Sequence, residues 1–164
     1  MKIINDFIEM QISLLQTMDF DFIILSSLLH EVEKPQDFLH LITSLCKTHT
    51  ILHINVPNAK SFHLVWAYEA GLISSLGKLS NTAKTLQQNT AFDLESLMQM
   101  AQNVSLEVKE SGSYFIKPFN HSKMSALLKN QILDEKLLEG LDNMVKYMPH
   151  LGAEIFINAR RKKV

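Results

Sequence analysis

Residues Asp21–Ile42 read DFIILSSLLHEVEKPQDFLHLI, and this stretch decides the fold. Phe20 to Ser27 is apolar on both faces, the pattern of an interior strand covered by helices on each side. A polar turn follows with His30 and Glu31 adjacent. Pro35 then opens a helix, where its missing N–H costs nothing, and Phe38, Leu39, Ile42 and Leu45 recur at helical spacing. HTILHINVPNA supplies a second strand, Thr50 to Val56, halted at Pro57 because proline cannot continue a ladder. Strand, helix and strand thus occupy fewer than 40 residues. A βαβ unit of this kind has a right-handed crossover and a parallel pair.

Upstream, MKII reads as a strand tip with a turn at Asn5 and Asp6, and residues 7–18 as one short helix. Downstream, Ser61 to Leu72 reads as a helix, and residues 73–91 as a mobile polar loop. FDLESLMQMAQ is a helix capped by Asp93. VSLEVKESGSYFIKPF alternates like a strand or hairpin, and helices are expected near 121–131 and 134–147. GAEIFINARR closes the chain as a strand with Ile155 and Ile157 on one face and Phe156 on the other. The expected class is α/β, a mixed sheet with a late antiparallel pair, flanked by helices in one domain over 1–164.

Composition narrows the function. Of 164 residues, 46% are hydrophobic and 20% charged, and the net charge is −1. No basic field is available to hold nucleic acid or an anionic membrane. The terminal NARRKKV reads as a solvated tail. Cys46 is the single cysteine, on an apolar helical face, which suits a reducing compartment and a core role. No export signal or membrane span is visible, so the expected location is cytoplasmic. The seven histidines have no zinc-site rhythm, and no metal is expected. G-x-S-x-G is absent, so no serine-hydrolase elbow is indicated. Methionines 98, 100, 124, 144 and 148 read as core filler.

Ligands of open α/β sheets bind beyond the carboxyl ends of the strands. Two ends qualify here: Ser26, Ser27, His30 and Glu31, and then Asn55, Pro57, Asn58, Ser61 and His63. Adjacent strands lie about 4.8 Å apart, which places both groups in one crevice. His30 has the right intrinsic proton affinity for a base at neutral pH, with Glu31 to orient it or bind substrate. Asn55 and Asn58 can hydrogen-bond a polar ligand. Each also has a plain alternative: His30 and Glu31 as a solvent-facing cap, Asn58 as a turn residue, His63 as a structural residue in an apolar helix.

The stretch FDFIILSSLLHEVEKPQDFLHLI…ILHINVPNAKSFH resembles the second half of a class I S-adenosylmethionine-dependent methyltransferase. In that family the fourth strand opens on an aromatic–Asp pair and ends in a Leu-Glu-His segment before a proline, and the fifth strand ends in Val-Pro-Asn. Here Asp21, LLHEVEKP and NVPNAKSFH take those places, with His30 and Glu31 in reversed order. FDLESLMQMAQNVSLEV and GAEIFINARRK resemble the later helix and strands, although no glycine stands near Asn103. The resemblance implies that Leu25, Ser26 and Ser27 lie near the methionine end of S-adenosylmethionine and that Asp6 and Phe7 read its adenine. It implies that His30, as base, and Glu31, with Asn55, Asn58 and His63, face a small-molecule acceptor, that residues 73–91 lid it, and that Tyr114–His121, Lys117 among them, add contacts.

The family's cofactor grip is a strand, a Gly-rich turn, a helix and an acidic strand end. The five glycines stand at 71, 77, 112, 140 and 152, so no such turn precedes the stretch. The resemblance then implies the C-terminal part of a methyltransferase fold, a partial Rossmann-like sheet, mixed and mostly parallel with a late antiparallel strand, truncated and without activity alone. Residues 20–27 then become an exposed edge, with part of their helix cover missing. A homo-oligomer is expected, paired through 20–27 or exchanging 1–18. The second function class is a non-catalytic α/β module that binds a ligand or partner and oligomerises through that edge.

Overall fold

The computed structural model describes residues 3–79, 85 and 88–162. The βαβ unit is present: β1 (Phe22–Ser26), α2 (Pro35–Thr43) and β2 (Ile51–Pro57), preceded by α1 (Ile8–Leu15). Pro35 sits in the first turn of α2, and Phe38, Leu39, Ile42 and Thr43 form its buried side. β1 and β2 are parallel, in register from Phe22 opposite Ile51 to Ser26 opposite Asn55. Pro57 is the last rung of β2, opposite Glu154.

After α3 (Phe62–Glu69) come α4 (Leu94–Asn103) and β3 (Leu106–Tyr114). Asp93 caps α4 in a reciprocal box, its carboxylate accepting from the Ser96 N–H while the Ser96 hydroxyl accepts from the Asp93 N–H. Two short helices, α5 (His121–Lys129) and α6 (Glu135–Asn143), are capped by Asn120 and Asp134. β4 (Glu154–Arg161) then enters between β2 and β3, antiparallel to both. The strand order is β1-β2-β4-β3. The sheet is mixed as expected, with its parallel part confined to β1–β2.

Alternation decides which residues reach the core. Leu52, Ile54, Val56, Ile155, Ile157 and Leu106 are fully buried on one face, under Leu39 and Ile42 of α2 and Leu97 and Ala101 of α4. Each fully buried Leu or Ile contributes about 1.5–3 kcal/mol relative to exposure. The opposite face is lined by Ile24, His53, Asn158 and Glu110 in one cross-strand row and by Ser26, Asn55, Phe156 and Gly112 in the next. In the second row Phe156 lies across β3, stacked on Tyr114 at 4.7 Å. Gly112 makes room for it: a Cβ there would stand 2.8 Å from Phe156 Cε1.

One expectation is corrected and another is met. Ile3–Asn5 form no strand, while Met1 and Lys2 lie outside the described residues. β1 is apolar on both faces but covered on one: Leu25 is 5% exposed, against 64% for Phe22 and 66% for Ile24. Its composition is that of an interior strand, but its position is the exposed edge that the family resemblance led us to expect of residues 20–27, with β2 as its partner among the described residues.

Candidate functional site at the strand ends

β1 and β2 end side by side, and the chain turns sharply there. Ser27 adopts a left-handed φ of 47°, unusual for a residue with a Cβ. Its N–H donates to the Asn55 carbonyl at 3.0 Å. The Asn55 amide donates to Glu154 Oε2 at 2.5 Å and approaches Ser27 Oγ at 3.5 Å. The Ser27 hydroxyl in turn lies 3.5 Å from Glu154 Oε1. Three strands thus bring a hydroxyl, an amide and a carboxylate to one point.

His30 stands in the turn after β1 and is 4% exposed. Its carbonyl accepts from the N–H groups of Asn89 and Thr90, at 2.8 and 3.1 Å. Its Nε2 is 3.8 Å from Glu31 Oε1, and its Nδ1 has no hydrogen-bond partner among the described residues. Burial lowers the proton affinity of the ring, against the pull of the Glu31 and Glu154 carboxylates. A buried, neutral imidazole with an unpaired nitrogen can accept or share a proton at neutral pH. Glu31 is half-exposed, and its carbonyl accepts from the Asn89 amide at 2.6 Å.

The other expected residues divide. His63 and Lys117 are brought together: burial and then the Lys117 charge push the His63 ring down to about 4. The Ser61 hydroxyl lies 3.1 Å from His63 Nδ1. Asn58 is a buried pin whose amide donates to the His150 and Gly152 carbonyls, both at 2.9 Å, while its oxygen accepts from the Lys60 N–H. Those bonds tie it to the turn before β4. Leu25 points into the core, away from the Ser26 side of β1. Asp6 turns to its own helix, accepting from the Phe7 N–H at 2.8 Å and the Gln11 amide at 2.7 Å, and Phe7 is 78% exposed. Of the expected lid, residues 80–84, 86 and 87 lie outside the described residues.

Glu154 was not anticipated. The alternation of GAEIFINARR places it on the Phe156 face, but only the insertion of β4 beside β2 carries it to Asn55. On the same open face the His53 Nδ1 meets Asn158 Oδ1 at 2.7 Å, and the Asn158 amide donates to Glu110 Oε2 at 2.7 Å. A separate cleft of about 420 Å³ lies between α4 and the turn after β2, lined by Asn58, Lys60, Asp93, Met98 and His150 among others. In it Lys60 Nζ is 2.6 Å from Asp93 Oδ2. Burial opposes ionisation of Asp93, but the Lys60 and Ser96 hydrogen bonds hold its carboxyl at about 2. Burial pushes the Cys46 thiol up to about 11, consistent with the core role expected of it. Among the described residues no group of three or more His, Cys, Asp or Glu could hold a metal ion. Among them, too, no helix is long and apolar enough to cross a membrane.

No protein-family model and no curated protein matches the chain. Solved structures do. A SAM-dependent methyltransferase of Thermotoga maritima aligns with 90% of this chain and 61% of its own, at TM-score 0.53 and 18% identity. One from Archaeoglobus fulgidus aligns with 92% of this chain and 64% of its own, at TM-score 0.48 and 12% identity. The chain spans less than two-thirds of the length of either neighbour. With β1 parallel to β2 and the last two strands antiparallel beside them, the described residues have a class I SAM-dependent methyltransferase-like fold.

Proposed function

We propose that this chain is the acceptor-facing, C-terminal part of a cytoplasmic S-adenosylmethionine-dependent methyltransferase acting on a small molecule. The observation that carries the reading is the strand-end cluster. His30 is buried and neutral, with no partner for its Nδ1 among the described residues, close enough to Glu154 to feel its charge, and Glu154 is hydrogen-bonded to Asn55. Methyl transfer needs an acceptor held in line and relieved of a proton, and a positioned neutral imidazole suits the second task. Asn55, Ser27 and Glu154 offer donors and an acceptor for positioning, with Lys117 and His63 as a second polar group.

The residues present do not by themselves fit the cofactor. Asp6 is turned to Gln11, Leu25 faces the core, and Ser26 and Ser27 form one wall with an open edge beside it. The chain alone is therefore expected to bind S-adenosylmethionine no more tightly than about millimolar, and we assign it no activity by itself.

Chemical-shift mapping with S-adenosylhomocysteine tests the reading. We expect weak binding, on the order of millimolar, with shifts confined to residues 26–31. Shifts centred on Lys60 and Asp93 would move the site to the α4 cleft. No shifts anywhere would favour the non-catalytic, partner-binding module.

A further inference from the structure

The cleft between α4 and the turn after β2 takes no part in the chemistry of the strand-end cluster. Its volume of about 420 Å³ falls within the range of about 300–1,000 Å³ that small molecules occupy. α4 forms one wall, since Leu94, Glu95, Met98, Gln99 and Gln102 recur at spacings of three and four and share one helix face. Asn58, Lys60 and His150 form the other. Both walls are fixed in advance. Asn58 is bonded to the His150 and Gly152 carbonyls, and the Asp93–Ser96 box locks the start of α4.

The polar groups of the cleft divide into used and unused. Asn58 commits its amide and its oxygen inside the chain. Asp93 Oδ1 accepts from the Ser96 N–H, and Oδ2 meets Lys60 Nζ. The side chains of Glu95, Gln102 and His150 have no hydrogen-bond partner among the described residues. Two carboxylates thus face one ammonium, which leaves an excess of negative charge. Beside them Leu94 and Met98 offer apolar surface, partly buried against the core. Lys60 shows what the carboxylates accept, an alkylammonium on a flexible stem. The Asp93 hydrogen bond, and more weakly the Glu95 charge, raise the proton affinity of that ammonium. Its side chain is 52% exposed, so it can leave for water at little cost.

We propose that this cleft is a second binding site, for a small organic ammonium ion with an apolar body. The ligand's ammonium replaces Lys60 Nζ beside Asp93 and Glu95, and its body lies on Leu94 and Met98. The displaced Lys60 ammonium returns to water. An anion is the poorer occupant, because it meets two carboxylates and a lysine already engaged by one of them. A bare metal ion finds no set of three His, Cys, Asp or Glu ligands among the described residues.

Benzylamine, benzyl alcohol and benzoate share a body and differ in charge, which makes them the probes. NMR titration should give benzylamine a Kd on the order of 1 mM, with shifts at Leu94, Met98 and His150. Benzyl alcohol and benzoate should bind at least about 5-fold more weakly. Lys60→Ala removes the internal competitor and should tighten benzylamine about 3-fold. Asp93→Asn keeps a good N-cap, and hence α4, and should weaken benzylamine about 10-fold. Glu95→Gln, at an exposed position, should weaken it about 3-fold. Benzoate binding as tightly as benzylamine, Lys60→Ala weakening benzylamine, or no shifts in the cleft at about 20 mM would each overturn the proposal. Shifts centred on residues 26–31 would place the ammonium in the strand-end crevice and overturn it as well. The readout needs neither S-adenosylmethionine nor methyl transfer, so the proposed function can fail while this site stands, and the reverse.

Discussion

The two edges of this sheet are built to opposite rules. β3 is irregular and charged: its register shifts between Val108 and Glu110, Lys109 Nζ sits 2.6 Å from Glu107 Oε1, and Glu110 binds back to Asn158. Bulges and charges are how natural sheets stop pairing at an edge. β1 has none of these: it is regular, uncharged and apolar on both faces, with Phe22 and Ile24 in water. One edge is guarded against further pairing and the other is not. Low stability, aggregation or oligomerisation of this chain should therefore originate at β1.

The largest expected effect comes from comparing one residue on each side. Ile157 is fully buried in β4, between two partner strands. Ile157→Ala should cost about 2–5 kcal/mol in urea unfolding. Ile24→Ala should change stability by no more than about 0.5 kcal/mol, because little is buried there to lose. Equal costs would show that β1 is covered in solution and would erase the contrast between the edges.

Acid should act next most strongly, through histidines above the strand ends. His63 is held at about 4 against an ordinary value of 6.5, by burial and then by Lys117. The fold prefers its neutral form, so that contribution is intact above pH 6.5 and declines as pH falls from 6.5 towards 4. Between pH 7 and pH 5 the loss should be about 2 kcal/mol, and His63→Gln should flatten most of it. His30 acts in the same direction, and burial is its leading cause. Histidine NMR titrations read both.

What the sequence revealed follows where local chemistry decides. Pro35, the Asp93 cap and the alternation of Ile155, Phe156 and Ile157 each act over a few residues, and each element lies where those residues place it. The resemblance carried by Asp21–Ile42 and NVPNAKSFH led to the fold. Cover on β1 was not legible from its composition, since an apolar strand looks the same whether or not a helix lies over it; the exposed edge was legible only through the family resemblance. The site was legible in outline. Ser27 and Asn55 do meet, because parallel strands in register end together. Glu154 was hidden because its position depends on a strand that pairs with β2 across nearly 100 residues of chain. Asn58 looked free for a ligand because nothing local shows that His150 and Gly152 return to it.

The smallest expected effect separates the purpose of the β3 charges from their energy. Lys109 and Glu107 are about half-exposed, at 48% and 52%, and such pairs contribute little to stability. Lys109→Val should leave the thermal midpoint unchanged within error. Its consequence should appear in colloidal behaviour, since a valine at that position lengthens the apolar run of an outer strand. Light scattering at fixed concentration should rise faster for Lys109→Val than for the parent chain, and Ile24→Lys should slow it. If Lys109→Val lowers the melting point and leaves scattering alone, the β3 charges hold that strand in place, and the difference between the two edges is one of stability and not of protection.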